Sequence, residues 1–258
     1  MIRDSSKDQY YTDQKVAEHL VSTLGDLSTY SKIIEPSAGC GSFLNYLPPS
    51  TLSYDIEPKD SRIIKQDYLK TKFQPDAILV VGNPPFGKQS SLAKKFIRHS
   101  CKFAEVIAFI LPRSFKKESM QKCFDRQFHL IYQEDLELDS FFYEETRYKV
   151  PCVFQIWKKS QILRPKPLVY HPNTNYFDIV KKEDNPQVAF KRVGISAGNF
   201  HTDILKSSQQ SHIFIKFHVK PDFTDLKNSL KFETDNTVGP KSISKNELIR
   251  ELNKFFEP

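Results

Sequence analysis

The 258 residues predict a doubly wound α/β fold built on a mainly parallel seven-stranded sheet, with a small α+β appendage behind it. Two observations carry that reading. Short apolar runs alternate without interruption with segments of helical spacing between residues 32 and 157, and the runs at 77–81 and 106–111 are apolar throughout, as strands covered on both faces require. Past residue 158 the alternation stops, because Pro165, Pro167 and Pro172 interrupt every regular pattern.

Taken in order, an aromatic-polar lead-in, Tyr10-Tyr11-Thr12, precedes a first helix. Its apolar positions Val16, Leu20, Val21, Leu24 and Leu27 share one face, and Thr12 or Asp13 is the N-cap. A strand at 32–35 ends in Glu35 and runs into Pro36-Ser37-Ala38-Gly39-Cys40-Gly41, after which Phe43, Leu44 and Leu47 resume helical spacing. The expected order there is strand, tight glycine turn, helix. Further strands at 51–56 and 62–65 stop beside Asp55 and just before Asp67. The strand at 77–81 breaks at Gly82-Asn83-Pro84-Pro85-Phe86; a basic helix with Leu92, Phe96 and Ile97 on one face follows, then the strand 106–111 and a helix over 114–124. Strands at 130–138 and 150–157, with Phe141-Phe142-Tyr143 between them, complete the seven. The expected domains are therefore 1–160, a linker at 161–172, and an appendage at 173–258 with strands near 188–193 and 212–219, a helical piece at Leu226 and a last helix over 245–256.

Hydrophobic residues make up 39% and charged residues 27%, enough for a real core and too apolar for a disordered chain. No run approaches the roughly 20 apolar residues of a membrane span, and the polar start is unlike a secretory leader. The four cysteines, Cys40, Cys101, Cys123 and Cys152, have neither zinc-ligand nor disulfide-framework spacing, which points to a reducing intracellular compartment, the cytoplasm first and the nucleus left open. The seven histidines show no metal-ligand spacing, so no metal is expected. A net charge of +7 suits a polyanionic partner but is equally common in lysine-rich proteins that have none.

The chemistry concentrates at the carboxyl ends of the first strands. Gly39 and Gly41 let the polar part of a ligand lie against main chain, and Asp55 can accept hydrogen bonds from ribose hydroxyls, so a nucleoside is the expected ligand, the alternative being an ordinary turn that merely uses glycine. The third glycine of a dinucleotide fingerprint and the Lys-Ser/Thr of a phosphate loop are both missing, which disfavours NAD and ATP. Pro84-Pro85 drives the chain out of the sheet, leaving the Asn83 side chain and the Pro84 carbonyl able to accept both N–H protons of one amino group. A planar amino nitrogen, whose lone pair is delocalised, becomes a nucleophile when two acceptors favour its pyramidal form. Phe86 offers that group a flat face.

Glu35-Pro36-Ser37-Ala38-Gly39-Cys40-Gly41-Ser42-Phe43 followed by Asn83-Pro84-Pro85-Phe86 resembles the class I S-adenosylmethionine-dependent amino-methyltransferases, in particular their adenine-N6 branch. The resemblance covers roughly residues 9–158 and implies a Rossmann-like methyltransferase fold. It also implies a cofactor site in which Tyr11 and Thr12 reach the methionine end, Ser37, Ala38, Gly39, Gly41 and Phe43 form the turn, and Glu35 lies beneath. Asp55 then holds the ribose, Ile56 packs on the adenine, Asp67 beside Tyr68 accepts from the exocyclic amine, and Asn83 stands between cofactor and target. Asn83, Pro84, Pro85 and Phe86 are the catalytic set, with Phe86, Phe142 and Tyr143 against the extruded base.

Phe86 and the lack of room for a helical domain before Tyr10 speak against a protein-glutamine methyltransferase, so the expected activity is site-specific adenine-N6 methylation of DNA, with RNA as the alternative. A glutamine methyltransferase acting on a protein and a non-catalytic nucleic-acid-binding subunit are the further alternatives. Lys191 and Arg192 in the appendage, with Lys181, Lys182, Lys216 and Lys220, are candidates for substrate phosphates. With about 85 residues behind the linker, site recognition is expected to be short, or to come from RNA shape or a partner subunit.

Overall fold

The computed structural model describes residues 11–143, 146–232 and 241–257, so Tyr10 lies outside the described residues, as does the side chain of Tyr143. The chain divides into two compact units, residues 1–165 and 166–258.

In the first unit the order is β1 (Tyr11–Thr12), α1 (Gln14–Ser22), β2 (Lys32–Glu35), β3 (Leu52–Asp55), β4 (Ile64–Lys65), β5 (Ile78–Gly82), α2 (Ser91–Ser100) and β6 (Val106–Pro112). There follow α3 (Glu118–Gln121), β7 (Phe128–Asp135), β8 (Phe141–Tyr143), β9 (Thr146–Tyr148) and β10 (Cys152–Lys159). Seven strands form one sheet in the order β4-β3-β2-β5-β6-β10-β7. Strands β4 through β6 in that order are parallel neighbours, and β10 enters antiparallel between β6 and β7. The fold is the mainly parallel, doubly wound one that the sequence predicts.

Strand β6 shows why its sequence is apolar at every position. Ile107, Phe109 and Leu111 enter one core with Ala93, Phe96 and Ile97 of α2, while Val106, Ala108 and Ile110 enter another with Ala17, Leu20 and Val21 of α1. Side chains of a strand alternate between faces, so a strand covered on both sides has no polar position to spare. Helix α1 starts where Asp13, one of the two N-cap candidates in the sequence, accepts the Lys15 amide at 2.9 Å.

Two expected helices are not formed as such. Residues 42–47 fold as successive turns, with the Tyr46 amide donating to the Phe43 carbonyl at 3.0 Å. The expected helix at 114–124 is a 3₁₀ turn at Arg113–Lys116, an extended Lys117 and the single turn α3.

Strand β1 pairs with β8, Tyr11 opposite Phe142 and Thr12 opposite Phe141, in a three-stranded sheet with β9. The short sheet thus fastens the start of the described chain to the segment between β7 and β10.

The second unit contains β11 (Phe177–Val180), β12 (Val188–Lys191), β13 (Phe200–His201), β14 (His212–Phe217), α4 (Phe223–Ser229) and α5 (Lys245–Phe256). Its antiparallel sheet has the order β11-β14-β12-β13. Phe177, Val188, Phe190, Ile213, Ile215 and Phe217 pack on Leu226 of α4 and on Leu248, Ile249 and Leu252 of α5. Helix α5 is capped by a reciprocal pair: the Glu247 amide donates to Ser244 Oγ, and the Ser244 amide to Glu247 Oε2. The segment expected as a linker is shared between the units. Arg164 lies in the first, its guanidinium donating to the Phe124 carbonyl at 3.1 Å, while the Tyr170 amide donates to Asn246 Oδ1 at 2.7 Å within the second.

Candidate active site

In the first unit a cavity of about 300 Å³ opens at the carboxyl ends of β2, β3 and β5, beside the switch point between β2 and β5, from which β2-β3-β4 and β5-β6 run to opposite sides of the sheet. Its walls collect residues from distant parts of the unit. Tyr11 and Thr12 come from β1, Glu35 from the end of β2, Ser37, Ala38, Gly39 and Phe43 from the turn, Asp55 and Ile56 from the end of β3, Asp67 and Tyr68 from beyond β4, and Asn83, Pro84, Pro85 and Phe86 from beyond β5.

The glycine turn is stapled to β3. The Gly39 amide donates to Asp55 Oδ2 and the Glu57 amide to Asp55 Oδ1, each at 2.8 Å, while the Ala38 amide donates to the Tyr54 carbonyl and the Lys59 amide to the Gly39 carbonyl, both at 2.9 Å. Asp55 therefore shapes the loop as well as facing the cavity. Gly39 has φ +55°, and a Cβ there would lie 2.8 Å from Tyr11 Cε1, so both the backbone and the overlying ring demand glycine.

Glu35 is buried at 1% exposure, and its Oε2 has no hydrogen-bond partner. Burial first, and then the Asp55 carboxylate, push its proton affinity well above the ordinary carboxylate range, with Arg62 pulling the other way. Because the folded form holds this proton more tightly than the unfolded chain, stability falls as pH rises from the unfolded value through the folded one. Glu35→Gln is therefore expected to stabilise the ligand-free protein by about 1–3 kcal/mol on the alkaline side and to have little effect at pH 5. Calorimetric melting from pH 5 to 9 checks this; identical pH slopes for the two proteins would contradict it.

The target motif is fixed from both sides. Asn83 Nδ2 donates to Thr12 Oγ1 at 3.3 Å, and the Asn83 carbonyl accepts from Ser37 Oγ at 3.1 Å. The Phe86 carbonyl accepts the amides of Leu92 and Ala93 at 3.1 and 3.3 Å, tying the half-buried ring to the start of α2. Asp67 accepts the Leu69 amide at 3.0 Å, and Tyr68 presents only its ring to the cavity, since its hydroxyl meets Ser100 Oγ at 2.7 Å deep in the core.

Several residues singled out from the sequence do not line the cavity. Gly41, with φ +80°, faces Asp60 and Arg62 instead. Phe142 stands one layer out, its ring 5.9 Å from that of Tyr11. Lys191 and Arg192 belong to the second unit, where Lys191 Nζ donates to Ser211 Oγ at 3.1 Å. Conversely, Pro36, Ser42, Glu57, Gln66, Leu69, Leu92 and Phe96 line the cavity without having been singled out as site residues. Leu92 and Phe96 read from the sequence only as one helix face, and a four-residue spacing does not say that its upper end borders a ligand. Among the described residues no cluster of three metal-ligating side chains occurs, and no helix is long and apolar enough to cross a membrane.

Residues 50–170, a little under half of the chain, match the family described as the EDM2 methyltransferase-like domain. A comparison with curated proteins finds no match. Solved structures of similar fold include the 23S rRNA methyltransferase ErmE, at 13% identity over 62% of this chain and 73% of that one, with a TM-score of 0.46. Another is the M. jannaschii tRNA m1G37 methyltransferase, at 16% identity over 59% and 52%, with a TM-score of 0.41. A third is the magnesium protoporphyrin IX methyltransferase ChlM of Synechocystis PCC 6803 with bound SAM, at 13% identity over 57% and 79%, with a TM-score of 0.40. These are likenesses of fold.

Proposed function

We propose that the chain is an S-adenosylmethionine-dependent methyltransferase acting on the N6 amino group of adenine in a nucleic acid. One observation carries the reading: Asn83-Pro84-Pro85-Phe86 border the same cavity as the glycine turn, Asp55 and Asp67.

The wall residues fit the cofactor. The unpartnered Glu35 Oε2 suits its ammonium group, Asp55 its ribose hydroxyls, and Asp67 its exocyclic amine. Ile56, 61% exposed although it lines a cavity, offers an apolar surface for the adenine ring. When bound, S-adenosylmethionine supplies a methyl group on a cationic sulfur, open to direct displacement by a nucleophile.

The protein's own task is to make that nucleophile. The Asn83 carboxamide oxygen and the Pro84 carbonyl accept the two amino protons of the target, which favours the pyramidal nitrogen and aims its lone pair. Phe86 stacks on the base, and Phe142 supplies a second aromatic surface further out. The amino proton turns acidic on methylation and leaves to water, so no strong base is required of the protein. A target inside a duplex has to be flipped out at a cost of a few kcal/mol, which stacking and hydrogen bonding in the pocket offset.

The test is transfer from methyl-labelled S-adenosylmethionine to duplex DNA, single-stranded DNA, RNA and protein, followed by digestion and mass spectrometry of the nucleosides. N6-methyladenine is expected, and the acceptor that carries it identifies the polymer. Label confined to protein glutamine, or cofactor binding with no transfer to any acceptor, would overturn the reading.

A further inference from the structure

The sheet of the second unit carries a group of basic side chains on the face away from its two helices. Phe190 of β12 and Ile213 of β14 are register partners in the core under α4 and α5, so their neighbours Lys191 and His212, also register partners, stand on the other face. His201 of β13, opposite Ala189, joins them there, its ring 5.7 Å from that of His212. The 202–211 loop brings in Lys182, whose Nζ donates to the carbonyls of Leu205 at 3.0 Å and Ser207 at 2.8 Å.

Four basic side chains are thus gathered around one loop. Among the described residues none of the four is in an ion pair; Asp203 pairs with Lys206 and Asp178 with His218, while Glu183 and Asp184 accept from the Gln209 side chain and the Lys181 amide. After burial, it is the charges of Lys191, His201 and Lys182 that depress proton binding at His212, with the Ser208 carbonyl opposing them. Both ammonium groups are anchored by one or two neutral acceptors and retain N–H donors for a ligand.

We propose that this face, with Lys182 and Lys191 as its cations and His201 beside them, binds the phosphodiester backbone of a nucleic acid. The proposal rests on the nucleic-acid part of the functional reading above and adds a substrate-holding surface in the second unit. Anchored ammonium groups that keep N–H donors suit a polyanion whose phosphates repeat along a strand, and backbone contacts position a substrate without reading its sequence.

The test is fluorescence anisotropy of the full chain with labelled single-stranded RNA, single-stranded DNA and duplex DNA of one sequence, from 50 to 300 mM salt. Lys182→Gln/Lys191→Gln is expected to lower affinity about tenfold at 100 mM salt and to reduce the slope of log affinity against log salt by about 1.4–1.8, at roughly 0.7–0.9 per phosphate contact. Lys182→Arg/Lys191→Arg should retain the slope, and the exposed His201→Glu should weaken binding about threefold or more even if the double variant folds poorly. Lys227→Gln on α4 should change nothing. Loss on RNA, DNA or both supports the proposal; an unchanged slope in the glutamine variant, or no binding by the unaltered chain at 50 mM salt, overturns it. Binding without methyl transfer would sink the proposed activity and leave this surface standing, while transfer with an unchanged slope would do the reverse.

Discussion

Replacing Asn83 by alanine is expected to lower the rate of methyl transfer about 10²–10³-fold while changing cofactor affinity less than about threefold. The side chain sits where β5 ends, its amide nitrogen directed to Thr12 Oγ1 and its backbone carbonyl held by Ser37 Oγ. Alanine preserves the backbone and both prolines, so the Pro84 carbonyl remains and only one of the two proposed acceptors is lost. An amino group held by one acceptor keeps more of its planar, delocalised form, and the loss appears in kcat more than in KM. Single-turnover transfer with labelled cofactor, together with calorimetric titration of the cofactor, separates the two effects. A full rate in the variant would remove Asn83 from the chemistry.

Asp55→Ala is expected to raise the cofactor dissociation constant about ten- to a hundredfold, corresponding to roughly 1.5–3 kcal/mol for hydrogen bonds to a charged group. Two losses combine. The ribose loses its acceptor, and the amides of Gly39 and Glu57 lose the carboxylate that holds the turn in shape. Asp55→Asn, which keeps an acceptor for one of those amides, should fall between. Isothermal titration measures the series; equal affinities for all three would place the ribose elsewhere.

The sheet was legible because burial on both faces leaves a plain mark, the unbroken apolar runs of β5 and β6. The two mistaken helices show where periodicity misleads. Phe43 and Leu47 are both buried, as helical spacing suggests, but only six residues separate Gly41 from Pro48, too few to repay helix nucleation, and turns bury the same side chains. Between Phe115 and Met120 the apolar spacing is five, out of phase with 3.6 residues per turn; the extended Lys117 rewinds the chain so that both meet one core. Strands β11 and β13 are too short to display a period. At the site, the motifs announced Asp55 and Asn83, but not that Asp55 also moors the turn or that Thr12 holds the Asn83 amide. Those contacts join segments far apart in sequence, and no local pattern encodes them.

The pairing of β1 with β8 bears on the order in which the molecule assembles. Tyr11 and Thr12 are held by Phe141 and Phe142, near the opposite end of the first unit's sequence, through a strand of only two residues. Closing so long a loop for so few contacts is entropically slow and yields little on its own, so this wall of the cavity should form after the parallel sheet has condensed. A chain that has built its core but not this clasp would carry the turn and the target motif with one side open. A ligand that bridges the clasp and the turn favours the closed arrangement over any in which the clasp has come apart, so cofactor binding should protect this two-residue pairing.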